Sequence, residues 1–76
     1  MTEKIIRIIT EILEVKEGTI TENTLISDVE EWDSLAQVMI IGELEARLHL
    51  SIALEDAMEV ESVPDLIKLC SQSEKK

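Results

Sequence analysis

Ile5, Ile8, Ile9, Ile12 and Leu13 recur at spacings of three and four residues, and similar spacing returns with Leu35, Val38, Met39, Ile41, Leu44 and Leu48. A third set, Val63, Leu66, Ile67, Leu69 and Cys70, follows near the end of the chain. Such spacing gathers apolar side chains on one face of an α-helix, whereas no stretch alternates apolar and polar residues as a half-buried strand must. The chain is therefore expected to be all-α, a small bundle of three main helices plus one short helix. Its 76 residues are read as a single domain, 1–76. With no Phe or Tyr, and Trp32 as the lone aromatic, the core is built from aliphatic side chains. Those repack around a guest more readily than stacked rings do.

Thr2 stands where an N-cap belongs, Glu3 favours the positive end of the dipole, and Gly18 lies just past the finish. The first helix is expected from residue 3 to residue 16. From Glu17 to Trp32 the periodicity fades. A loop this long tends to carry function or to pack through its own apolar residues, here Leu25, Ile26 and Val29. Asp33 is placed to cap a second helix from Ser34 to His49, whose last turn carries Arg47 and His49 at the carbonyl end of the dipole. Gly42 inside it costs up to about 1 kcal/mol relative to Ala and is read as room for close approach by another surface. Ser51 to Glu59 has space only for a short helical turn. Ser62, with Pro64 in the first turn and Asp65 three residues on, opens the last helix. The polar end, residues 72–76, is expected to fray.

Seven Lys and Arg against 17 Asp and Glu leave a net charge of −10. That balance excludes nonspecific nucleic-acid binding, which needs cations to displace phosphate counterions, and disfavours anionic membranes. The apolar runs are too short for membrane insertion, and the acidic start resembles no secretory signal. Cys70 is the only thiol, so no internal disulfide forms. A cytoplasmic monomer is expected, with Cys70 a buried structural thiol and His49 a helix-end charge. The acidic segment Asp28-Val29-Glu30-Glu31 lacks the glycine and closing Glu of a calcium loop, and no metal site is expected.

The long loop ends in Glu31-Trp32-Asp33-Ser34-Leu35, which places Ser34 in the first turn of the second helix. A phosphate ester on that hydroxyl would lie beside unpaired backbone N–H groups and the positive end of the dipole. Nucleophilic catalysis needs a positioned base, and the sole histidine, His49, lies about 22 Å away at a rise of about 1.5 Å per residue. Ser34 is therefore not a triad nucleophile, and no enzyme is expected. Asp33-Ser34-Leu35, after a long loop and ahead of the apolar pattern Leu35, Val38, Ile41, Leu44, Leu48, resembles the acyl carrier proteins. The resemblance extends to Ile52 and to the Ser62-Val63 opening of the last helix.

The resemblance implies that Ser34 bears 4′-phosphopantetheine, moved there from coenzyme A by a phosphopantetheinyl transferase. Asp33 would help to position metal and substrate in the transferase complex, and Leu35 completes the motif. The arm would hold an acyl group as a thioester and present it to an acyl-activating ligase, synthase or acyltransferase of fatty-acid or polyketide type. Docking is expected on Met39, Gly42, Glu43 and Glu45, steered by the acidic charge. The sequence departs from the family in Glu31, where Gly is frequent, and in Trp32 next to Asp33. These departures point to a stand-alone carrier of a specialised pathway. Two alternatives stay open: an aminoacyl or peptidyl carrier, and a helical interaction module without the arm that binds through Met39, Ile40 and Gly42. Trp32 could staple the helix entrance, but Gln37 at the partner position is polar, so packing on Val38 or partial exposure is equally compatible.

Overall fold

The computed structural model describes residues 2–73. Four helices appear in the order α1 (Thr2–Leu13), α2 (Ser34–Leu48), α3 (Leu54–Met58) and α4 (Val63–Gln72), with a 3-10 turn at Ile26–Asp28 before α2. The expected bundle of three main helices and one short one is what forms.

Helix α1 stops at Leu13, three residues before the expected end. Glu14 takes the left-handed conformation at φ 55°. Its amide donates to Glu11 O at 3.3 Å, and the Val15 amide donates to Thr10 O at 3.3 Å. This is the six-to-one and five-to-two closure of a Schellman motif, which usually recruits glycine. Gly18, at φ 93°, serves a turn further on. Helix α2 also ends on a left-handed residue, His49 at φ 54°, with both the His49 and Leu50 amides donating to Glu45 O.

The core joins Ile5, Ile8, Ile9 and Leu13 of α1 to Ile40, Ile41 and Leu44 of α2 and to Val63, Leu66 and Cys70 of α4. Burial pushes the Cys70 thiol up to about 11, as befits a packed, unreactive thiol. Leu35, Val38 and Met39, part of the expected apolar face of α2, are instead 69, 55 and 52 % exposed. Ile40, fully buried, takes the inward position. At 3.6 residues per turn, positions 37, 40, 41, 44 and 48 share one side, and 35, 38, 39, 42 and 46 lie opposite. Because α2 is apolar on both sides, spacing alone could not choose between them.

Of the three expected loop anchors, Val29 is buried, Ile26 is half-buried and Leu25 is exposed; Ile20 and Trp32 fill the remaining core positions. Leu25 contributes through its backbone, pairing antiparallel with Ser62. The Ile26 amide donates to Glu61 O at 3.0 Å and the Val63 amide to Thr24 O at 2.9 Å, which pins the loop to the start of α4. Ser62 caps that helix through the Asp65 amide at 3.2 Å. At the start of the tail expected to fray, Gln72 is helical, and Ser73 O accepts from the Ser51 amide at 2.9 Å. Residues 74–76 of that expected tail lie outside the described residues.

The two left-handed helix ends carry side chains that favour other backbone conformations. Glu14→Gly and His49→Gly should each raise unfolding free energy by about 0.5–1 kcal/mol in urea melts, since relief of left-handed strain exceeds the added freedom of the unfolded chain. A loss of stability in both would contradict the assigned caps.

Candidate carrier site at the start of α2

Asp33 has extended backbone and terminates the loop; its Oδ1 accepts from the Ala36 amide at 2.8 Å, and its carbonyl accepts from the Gln37 amide at 2.9 Å. The N–H groups of the first two helical residues, Ser34 and Leu35, have no acceptor within the helix. Ser34 is exposed. Its hydroxyl is thus reachable from solvent at the positive end of a 15-residue helix. A phosphodiester fits this position, because two unpaired amides and the dipole both favour an anion.

Trp32 anchors the loop end from within. It is 5 % exposed, and its amide donates to Val29 O at 3.1 Å. Its indole Nε1 donates to Gln37 Oε1 at 2.7 Å, and Gln37 Nε2 donates to Ala57 O at 2.9 Å in α3. Gln37, whose polarity argued in the sequence against a staple, is the partner that the indole N–H requires. Partial exposure of Trp32 is thereby corrected to burial. A mainly apolar groove of about 500 Å³ opens between α2 and α3, with Ser34 and Asp33 at its rim and Val38, Ile41, Leu54 and Met58 along it. Leu54 and Met58 are exposed and were not singled out from sequence, since a five-residue helix gives too few turns to show a face.

The outward side of α2, Leu35, Val38, Met39, Gly42 and Ala46, is exposed and carries no charge. A Cβ on Gly42 would meet nothing within 4 Å, so no other part of this chain approaches it closely. Glu43 and Glu45 lie on the flanks, half-buried and internally partnered. Glu43 Oε2 is 2.8 Å from Arg47 Nε, Arg47 Nη1 donates to Glu11 Oε2 at 2.8 Å, and Glu45 Oε2 accepts from the Ile52 amide at 3.2 Å. Hydrogen bonding to Glu11, with the charges of both acids, holds the Arg47 guanidinium above its ordinary pKa. In the loop ahead of the site, Asp28, Glu30 and Glu31 are all exposed. Ile40, part of the alternative interaction surface, is fully buried and cannot contribute to one. His49 sits at the far end of α2 from Ser34. Among the described residues no group of three His, Cys, Asp or Glu side chains is placed to hold a metal, and no helix is long and apolar enough to cross a membrane.

The fold is thus an all-α bundle with a solvent-facing serine at an open helix N-terminus. The family model for the phosphopantetheine attachment site matches residues 3–70. The chain belongs to that family: it is a carrier protein, not a catalyst, and its cofactor is covalently attached 4′-phosphopantetheine. Among solved structures, a holo acyl carrier protein from Geobacter metallireducens superposes with a TM-score of 0.81 at 24% identity, covering 95% of this chain and 83% of that one. A Mycobacterium tuberculosis protein designated an acyl carrier protein superposes with a TM-score of 0.83 at 31% identity, covering 93% of this chain and 95% of that one. No curated protein matches the sequence.

If the Asp33 carboxylate sets the start of α2, Asp33→Ala should cost about 1 kcal/mol in chemical denaturation, while Asp33→Asn, which keeps the acceptor, should cost a few tenths. Equal stability of Asp33→Ala and the wild type would remove the cap from the account.

Proposed function

We propose that Ser34 is the attachment residue and that the protein carries acyl groups as thioesters on the arm, presenting them to partner enzymes. The observation that supports this reading most strongly is the exposed Ser34 hydroxyl beside unpaired amides at the rim of the apolar groove. When attached, the group supplies the terminal thiol that bears the cargo. The chain's own residues do the rest: Asp33 fixes the helix start, the Ser34 and Leu35 amides receive the phosphodiester, and the groove shelters apolar atoms. Asp33 also remains the residue proposed to help a transferase position its metal and coenzyme A. Tethering replaces a bimolecular encounter with a local search at millimolar effective concentration. An apolar groove favours an acyl cargo over a charged aminoacyl one, since each methylene buried gains about 0.8 kcal/mol and a buried ammonium loses solvation.

The proposed partners are a phosphopantetheinyl transferase and then acyl-activating ligases, synthases or acyltransferases of a specialised acyl pathway in the cytoplasm. They dock on the uncharged outward side of α2 through Met39 and Gly42, with Glu43 and Glu45 at its edges and the loop acids providing longer-range attraction.

Incubation with coenzyme A and a broad-specificity transferase should add one phosphopantetheinyl mass to the intact wild type and none to Ser34→Ala. No gain in the wild type, or an equal gain in the variant, would overturn the assignment. The same reaction tests docking. Glu43→Gln with Glu45→Gln, which leaves an acceptor for the Ile52 amide, should slow modification at low ionic strength and flatten its salt dependence. An unchanged rate would take both carboxylates out of the interface.

A further inference from the structure

The start of α2 stands clear of the core. Trp32 and Ile40 are buried, but of residues 33–39 between them only Ala36 and Gln37 are even half-buried, and Asp33, Ser34, Leu35, Val38 and Met39 are exposed. Packing therefore does little to hold the turn that carries the serine. The Asp33 carboxylate caps that turn on its outer side through the Ala36 amide. A second link closes it from within. Trp32 immediately precedes the cap residue and Gln37 is the fourth residue of the helix, the two positions at which an apolar pair often staples a helix entrance. Here the staple is polar: indole Nε1 donates to Gln37 Oε1 at 2.7 Å, which closes a ring around Asp33, Ser34, Leu35 and Ala36. The other end of the Gln37 amide donates to Ala57 O at 2.9 Å, and this orients the side chain so that its oxygen faces the indole. Without that oxygen the indole N–H has to find water, and the ring that carries it has to shift from the core beside Asp33 to do so.

We propose, resting on the carrier reading, that Trp32 and Gln37 are a positioning pair for attachment of the arm: their side-chain bond keeps the first turn of α2 formed, so that the Ser34 hydroxyl and the Ser34 and Leu35 amides meet the transferase already in place. Neither side chain touches the reacting atoms. When the bond is absent, the turn is formed in only part of the population, and the transferase recognises that part alone. Apparent affinity then falls in proportion to the competent fraction, while the rate within the assembled complex is unchanged. The effect falls on KM for the carrier and not on kcat.

The test measures kcat and KM for the carrier with a broad-specificity transferase and saturating coenzyme A, followed by intact mass, in about 0.3 M salt, which screens the charge that one variant adds. Gln37→Ala removes the bond yet raises intrinsic helix propensity, so weakened propensity cannot account for a loss. It should raise KM several-fold at unchanged kcat and shift the emission of Trp32, the sole aromatic residue, to the red. Gln37→Glu returns an acceptor to the indole but no donor to Ala57, and should restore KM to near the wild-type value. Trp32→Phe removes the donor and keeps a ring; combined with Gln37→Ala it should raise KM no further than the larger single effect, because either change alone already breaks the same bond. A folded Gln37→Ala with wild-type KM, a fall in kcat at unchanged KM, additive effects in the double variant, or a Gln37→Glu as impaired as Gln37→Ala would each overturn the inference. Should Gln37→Ala fail to fold, hydrogen exchange in the wild type decides: the indole proton and the Ala36 and Gln37 amides should share one opening free energy, and an indole proton that exchanges from a lower one would overturn the pairing. Absence of any mass gain in the wild type would instead overturn the carrier reading.

Discussion

One carboxylate decides where the working part of this molecule begins. Asp33 takes the Ala36 amide on its side chain and the Gln37 amide on its carbonyl, which ends a long loop and starts α2 within a single residue. The choice leaves the amides of Ser34 and Leu35 free and turns the Ser34 hydroxyl to solvent. A cap that satisfied every amide of the first turn would have stabilised the helix slightly more and removed the anion seat. Burial of Trp32 one residue earlier holds that geometry against the core, so the serine stands on a rigid platform although it follows a loop.

The distribution of charge around that platform differs from what the total of −10 suggests. Each acid on α2 has a partner within the chain, Glu43 on Arg47 and Glu45 on the Ile52 amide, and between them the helix shows an uncharged, largely aliphatic side to the exterior. Exposed ion pairs of this kind add little to stability. Pairing with Arg47 offsets the charge of Glu43, Glu45 keeps its charge at the edge of the helix, and the exposed loop acids lie at the serine's end.

Much of this was legible beforehand because the signals were local. The Asp33 and Ser62 caps, the first turn that carries Ser34, and the helical character of each long segment follow from side-chain chemistry within four residues. What escaped the sequence depended on relations across the fold. The end of α1 rests on Glu14 in a conformation normally left to glycine, so Gly18 pointed to a later stop, whereas α2 ends at His49 as its sequence suggested. The face of α2 was ambiguous because apolar residues occur on both sides, and only packing against α1 shows that Ile40 is inside and Leu35, Val38 and Met39 are outside. Gln37 was read as a polar misfit beside Trp32. Its second partner, Ala57, lies twenty positions away, and nothing near it in sequence announces that contact.

Amide hydrogen exchange at residues 34–37, before and after attachment of the arm, tests the central claim most directly. The account predicts that Ala36 and Gln37 are protected in the unmodified protein, that Ser34 and Leu35 exchange at nearly unprotected rates, and that these two slow once the phosphodiester is in place. Protection of Ser34 and Leu35 before modification, or exchange at both unaltered by it, would contradict the claim that this helix start is an open seat for the phosphate.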